Sequence, residues 1–233
     1  MEKPPFLATG FTQSLSCPYF SNLEARYSSF FSKNCSPKDY DYLLEQGFRR
    51  LGFYFYKPQC TGCQKCVPLR VEVKKFQPSR SQKKILKKNN GIQVAVIQKP
   101  KIKAGYFQIY QNYLKERYGQ KEHLSLESFE LHMLHNPSFC QIFEYRKEEK
   151  LVGLSWLDRT EKGLSAVYFA YDQAFKKNSL GIFSLLYELD WAKKNNIPFY
   201  YLGFWVRGAP HMDYKKTLKP HQILEDQCWR EEG

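Results

Sequence analysis

QIFEYRKEEKLVGLSWLDRTEKGLSAVYFAYDQAFKKNSLGIFSLLYELDWAKKNNIPFYYLGFWV, residues 141–206, is the stretch whose reading decides the fold. Three apolar, β-prone runs follow one another closely, at 141–146, 151–157 and 164–171. The breaks between them, 147–150 and 158–163, are short and polar, which predicts an antiparallel meander. From Ser179 to Lys194 the pattern changes: Ile182, Leu185, Leu186 and Leu189 recur at helical spacing and define one buried stripe. Pro198 then precedes a last apolar strand over 199–206. The order β-β-β-α-β predicts a mixed sheet with a helix packed on it, an α/β fold of the α+β kind.

Upstream, Ser36-Pro37 with Asp39 marks a helix start, and Gly47 marks its stop near Gln46. Residues 48–57 (FRRLGFYFYK) read as one aromatic strand. Val67, Leu69, Val71 and Val73 alternate with Pro68, Arg70, Glu72 and Lys74, the signature of a half-buried strand that puts Arg70 on the polar face. Ser79 caps a basic helix over 80–88, and 92–97 is a further strand. Tyr106, Tyr110, Tyr113 and Leu114 form the core-facing stripe of a helix from about Lys103, and another helix covers 126–134. A composition shift near 99–104 divides the chain into an N-terminal cysteine-bearing domain, 1–100, and a second domain, 101–233.

Of the 233 residues, 36 are Lys or Arg and 23 are Asp or Glu, a net charge of +13. Such an excess attracts a polyanion and releases its counterions. Tyr, Phe and Trp make up 17% of the chain and supply rings that stack on bases. The first ten residues lack the basic and apolar regions of a signal peptide, and no apolar run reaches the roughly 18 residues of a membrane span. A cytoplasmic protein with reduced thiols is the expectation.

Cys60-Thr-Gly-Cys63-Gln-Lys-Cys66 brings three thiols into one loop at intervals of three. Thiolates so spaced converge on one soft metal, and Cys17 is the best candidate for a fourth ligand. Ligand type alone leaves zinc and an iron–sulfur cluster both open. Cys35, Cys140 and Cys228 are isolated and read as ordinary thiols.

Six segments, in order, resemble the arginyl-tRNA–protein transferase family, and among its branches the bacterial leucyl-transferring one. They are Cys17-Pro-Tyr-Phe20; Gly47-Phe-Arg-Arg50; the run from Tyr56 through the cysteine loop to Arg70; Phe76-Gln-Pro-Ser-Arg-Ser-Gln-Lys83; Ser165-Ala-Val-Tyr-Phe-Ala-Tyr-Asp172 with Ser179-Leu-Gly181; and Tyr201-Leu-Gly-Phe-Trp205 with Met212-Asp-Tyr-Lys215. The resemblance implies a GNAT-like acyltransferase fold behind the smaller N-terminal cysteine-bearing domain. It implies a donor aminoacyl-tRNA, carrying Leu with Arg or Phe as alternatives, and acceptor proteins that begin with Asp or Glu and are thereby marked as N-degrons. It implies no organic cofactor. No membrane partner is expected, because no lipidation motif is present. An N-acetyltransferase on the same fold is the rival enzyme. The single glycine of Lys176-Lys-Asn-Ser-Leu-Gly181 makes a poor pyrophosphate loop for it. A non-catalytic RNA-binding module is the other alternative.

Such a reaction joins an acceptor α-amine, with a pKa of about 7.7–8.0, to an activated ester, so positioning and oxyanion stabilisation matter more than a strong base. Asp172 and Asp158 are the candidates for proton transfer. Arg50, Arg70 and Arg80, all within the resembling motifs, are the candidates for the acceptor carboxylate. Tyr168, Tyr171, Tyr201, Trp205 and Tyr214 are candidates for the aminoacyl-adenosine end. Lys215 and the helix cations Lys83, Lys84 and Lys87 are candidates for tRNA phosphate.

Overall fold

The computed structural model describes residues 10–101, 103–119, 125–133 and 139–232. Of the first ten residues, where no signal-peptide pattern is expected, the first nine lie outside them. In chain order the elements are β1 (Gly10–Phe11), β2 (Leu15–Ser16), β3 (Glu24–Ala25), β4 (Tyr27–Phe31), α1 (Pro37–Glu45), β5 (Arg49–Leu51), β6 (Tyr54–Pro58), β7 (Cys66–Glu72), α2 (Arg80–Lys88), β8 (Ile92–Gln98), α3 (Ala104–Tyr118), α4 (Leu126–Met133), β9 (Cys140–Lys147), β10 (Lys150–Arg159), β11 (Gly163–Tyr171), α5 (Leu180–Lys194), β12 (Phe199–Val206), β13 (His221–Glu225) and β14 (Cys228–Glu232). Two 3-10 segments, Gln173–Asn178 and Pro210–Thr217, follow β11 and β12.

The meander read from residues 141–171 is present as β9-β10-β11, antiparallel throughout. It lies within an eight-stranded sheet of order β14-β13-β7-β12-β11-β10-β9-β8. β12 returns parallel to β11 after α5, as a β-α-β crossover requires. The expected division near residue 100 falls between β8 and α3, and the large sheet takes strands from both sides of it. β7 sits between β12 and β13, while β8 closes the far edge. A smaller sheet, β1-β4-β6-β5, carries the aromatic N-terminal segment.

Residues 48–57 do not form the single strand expected. Gly52, at φ +59°, turns the chain between β5 and β6, and a Cβ there would collide with the carbonyl of Leu131. Glycine takes that left-handed conformation without strain, and only a residue lacking Cβ tolerates so close an approach of the carbonyl. The capping signals hold in detail: the Ser36 hydroxyl accepts from the Asp39 N–H while the Asp39 carboxylate accepts from the Ser36 N–H, and Ser79 and Gln82 repeat the device on α2.

α5 buries Phe183, Leu185, Leu186 and Leu189 against the large sheet. The same face carries one carboxyl, Glu188, which is fully enclosed. It is tolerated there because three hydroxyls donate to it: Tyr145 at 2.9 Å, Ser155 and Tyr200. Burial nevertheless pushes Glu188 up to about 7, from an ordinary 4.5. Because the folded value is the higher one, the contribution of Glu188 to stability is complete below about pH 4.5 and is lost as pH rises through 7. The full span is of order 3 kcal/mol. Glu188→Gln, which cannot ionise, removes this slope. Urea midpoints measured between pH 4.5 and 8 should therefore change less with pH in the variant than in the native chain, and an identical pH dependence in both would refute the assignment.

Candidate functional site

β11 and β12 pair only over Gly163, Leu164 and Ser165, opposite Phe199, Tyr200 and Tyr201. Beyond that point the two strands part. β11 carries one extra residue, Val167, against the Trp156–Leu157 step of β10, a bulge that re-aims its backbone. β12 is irregular between Tyr201 and Gly203, where Gly203 takes φ +74°. The result is an open strand edge inside the sheet, where backbone groups of β11 have no partner strand on one side.

Arg49, from β5, fills the start of this gap. Its guanidinium donates to the Ser165 hydroxyl at 2.8 Å and to the carbonyl of Ala166, the first β11 residue past the pairing. It lies so close to Gly203 that a Cβ there would come within 3.2 Å of Nε. Lys215, from the second 3-10 segment, reaches the same region and donates to the Phe204 carbonyl at 2.6 Å. Its ammonium is buried, and its pKa is pushed down to about 7, first by burial and then by the charge of Arg49. Tyr56, the cross-strand partner of Arg49, packs against Phe204 with ring centroids 6.2 Å apart.

The next residue, Arg50, points to the opposite side of β5, as alternation along a strand requires. It meets Asp158 of β10: Nε donates to Oδ2 at 2.7 Å, Nη2 donates to Oδ1, and neither side chain is exposed. Nη1 donates to the Gly52 carbonyl at 3.0 Å, and the guanidinium lies over the Phe139 ring. Burial holds the Asp158 carboxyl above its ordinary value, and the charge and hydrogen bonds of Arg50 work against that rise. Arg50 and Asp158, expected at the acceptor and in proton transfer, are therefore enclosed partners of each other.

Arg70, also expected at the acceptor, is held inside the protein. It donates to Glu45 at 2.5 Å and Gln222 at 2.7 Å, and its guanidinium lies between the Phe199 and Trp229 rings, 3.9 and 4.2 Å from their centroids. Tyr201 joins this cluster by donating to Glu45 at 2.8 Å. Tyr168 packs among Tyr110, Tyr113 and Trp156. Asp172 accepts from Lys150 at 2.7 Å and from the Ala174 N–H at 3.0 Å, capping the first 3-10 segment. The Lys150 ammonium holds its carboxyl below the usual range, the wrong direction for a base. With Tyr171, Asp172 lines a groove of about 330 Å³ beside α3.

Trp205 donates to Asp213 at 2.8 Å, close to Lys215 in the chain, and Tyr214 is 40% exposed. Lys215, expected to meet phosphate at the surface, is buried instead. Arg80, Lys83, Lys84 and Lys87 are all exposed on α2.

Cys17, Cys60, Cys63 and Cys66 line one cavity of about 180 Å³ with Tyr27, Tyr56 and Phe204. Four thiols are a soft-metal donor set, and in that chemical sense they fit zinc or an iron–sulfur cluster. As placed, no three His, Cys, Asp or Glu side chains among the described residues converge closely enough to hold one ion. Burial, followed by the neighbouring thiols, pushes Cys66 up to about 12.

Arg49 was not singled out from the sequence. Its signals are its place in the resembling segment Gly47-Phe-Arg-Arg50 and the doublet itself, since one of two adjacent cations on a strand must face each side.

Comparison with known proteins agrees with this architecture. Residues 15–84 match the family described as "Arginine-tRNA-protein transferase, N terminus", and residues 105–225 match its C terminus. The chain is 35% identical over 223 residues to an aspartate/glutamate leucyltransferase of Pseudomonas fluorescens (strain SBW25), covering 94% of each chain. It is 34% identical over 192 residues to one from Hahella chejuensis, covering 82% of each. Among solved structures, FemX superposes with a TM-score of 0.52 at 10% identity, covering 82% of this chain and 68% of that one. The C-terminal domain described as a lysylphosphatidylglycerol synthetase from Agrobacterium fabrum gives 0.51 at 16% identity, covering 77% and 55%. These two show the fold alone, which is GNAT-like. With both halves matched and a relative 35% identical over nearly its whole length, the chain belongs to the arginine-tRNA-protein transferase family and is an aminoacyl-tRNA–protein transferase.

Proposed function

We propose that this enzyme transfers leucine from leucyl-tRNA to the α-amine of proteins that begin with Asp or Glu, as a cytosolic step that marks them as N-degrons. The observation that carries this reading is the 35% identity over 94% of both chains to a protein named aspartate/glutamate leucyltransferase. The reaction is assigned to the gap between β11 and β12, where the β11 backbone past Ser165 has no β12 partner and the Val167 bulge re-aims it, so that its N–H groups would serve an oxyanion. No side-chain base is assigned. Asp158 is enclosed by Arg50 and Asp172 is tied to Lys150, while the acceptor amine is already neutral in part near pH 7.5. In the decisive assay, peptides beginning with Asp, Glu or Lys are offered leucyl- and arginyl-tRNA in parallel. Leucine transfer onto the Asp and Glu peptides is expected. Arginine transfer in its place would reassign the donor, and no transfer to any peptide would sink the proposal.

The exposed cations of α2 supply a surface for tRNA phosphate. Replacing Lys83, Lys84 and Lys87 together with Ser should weaken tRNA binding and flatten its salt dependence by about 2 in log–log slope. An unchanged slope would move the tRNA surface elsewhere.

A soft metal would be held by Cys17, Cys60, Cys63 and Cys66. When bound it supplies a cross-link between the residue-17 segment, the cysteine loop and β7, with each ligating thiol deprotonated. Elemental analysis of the purified chain should find zinc or iron that is lost in Cys63→Ala, and a visible spectrum separates the two. A metal-free chain with full activity would discard the site.

A further inference from the structure

Three arginines and one lysine are buried among the described residues: Arg49, Arg50, Arg70 and Lys215. Two of them follow the usual rule for buried charge. Arg50 meets Asp158 and Arg70 meets Glu45. Arg49 and Lys215 break the rule. The partners of Arg49 are a hydroxyl and a carbonyl, that of Lys215 is a carbonyl, and no carboxylate among the described residues forms an ion pair with either. Asp158, whose carboxyl does feel the charge of Arg49, is already held through both oxygens by Arg50. Two basic groups thus share one desolvated region, and among the described residues no carboxylate is paired with either. The depressed pKa of Lys215 is a consequence of that arrangement.

Their donors are not exhausted. A guanidinium carries five N–H groups, and two of those on Arg49 are accounted for; an ammonium carries three, and one on Lys215 is accounted for. Their location also matters. Arg49 stands where β11 and β12 part, and Lys215 is anchored on the backbone of β12 just beyond the irregularity at Gly203. In an acceptor that begins with Asp or Glu, the attacking amine and the side-chain carboxylate belong to the same residue. The group that reads the carboxylate must therefore border the gap in which the amine attacks. Arg80, out on the surface of α2, does not border it, and Arg50 and Arg70 are already matched with acids.

We propose that Arg49 and Lys215 together form the subsite that receives the side-chain carboxylate of an N-terminal Asp or Glu on the acceptor. This rests on the transferase reading above and adds to it the residues that set acceptor specificity. An incoming carboxylate completes an ion-pair cluster that the free enzyme holds with two cations and no anion. Asn and Gln, of the same shape but uncharged, leave both cations without a counterion, and this is the physical basis of discrimination.

The test uses the full chain with saturating leucyl-tRNA and peptides that differ only in their first residue, Asp or Asn. Lys215→Met keeps most of the side-chain length and removes the charge; Lys215→Arg keeps the charge. For Lys215→Met, the KM for the Asp peptide should rise about 10-fold or more, with kcat falling by less, and the preference for Asp over Asn should shrink. Lys215→Arg should recover part of the KM. A fall in kcat with an unmoved KM, or an equal loss on Asp and Asn peptides, would overturn the proposal and assign Lys215 to the oxyanion or to folding. If near-ultraviolet circular dichroism shows that Lys215→Met has lost its native packing, Lys215→Arg carries the test alone. Its KM for the Asp peptide should then shift while the Asp-over-Asn preference persists, and loss of that preference would overturn the proposal. A native enzyme that transfers to neither peptide would be a failure of the transferase reading, and the wild-type control separates that case.

Discussion

The buried ion pair between Arg50 and Asp158 is the contact on which the arrangement of this protein rests. It joins β5 of the small sheet to β10 in the middle of the large one. Taking both charges out of water costs several kcal/mol per ion, and that cost is offset only when geometry is good and the remaining donors are satisfied. Here the contact is bidentate, a carbonyl takes a further N–H, and an aromatic ring covers the guanidinium. Either partner alone would be an uncompensated interior charge. The small sheet is thereby fixed against the large one in a single register.

That register determines what lies in the gap between β11 and β12. With Arg50 committed to one side of β5, Arg49 must emerge on the other, where β11 and β12 separate. Gly203 is glycine because the guanidinium of Arg49 occupies the space where a side chain would be. The motif Tyr201-Leu-Gly-Phe-Trp205 thus has a physical reading: Tyr201 holds Glu45 beside Arg70, Gly203 admits Arg49, the Phe204 carbonyl holds Lys215, and Trp205 fixes Asp213. Most of these residues act by shaping the gap and distributing charge around it. That suits a reaction in which an already activated ester meets an amine and alignment contributes more than proton transfer.

Charge in this chain has two separate uses. The net +13 is expressed outward, and five exposed cations stand on α2 alone; solvated charge of this kind attracts a polyanion at long range. The interior cations number few and are placed individually. Glu188 is the acidic counterpart, a single carboxyl kept in the core by three hydroxyls that belong to three different strands.

The elements of the second half of the chain were legible because their signals are local. Apolar runs, polar turns and a helical stripe identify β9 to β12 and α5 within a residue or two, and the capping residues identify α1 and α2. The hairpin at Gly52 was not legible, since the reason for its turn is the carbonyl of Leu131, nearly eighty positions away in the sequence. The same holds for the arginines. Residue type and motif drew attention to Arg50, Arg70 and Asp158, but whether a cation faces a substrate or an internal acid depends on which strand lies opposite, and that is settled by sheet order. The insertion of β7 between β12 and β13, and the early separation of β11 from β12, are properties of pairing between distant segments. The sequence by itself determined the elements, the basic surface and the family, because each is written in neighbouring residues or in ordered motifs. Only the tertiary structure decided which charges are matched and which are left open, because burial and counterion distance exist only once the strands have been brought together.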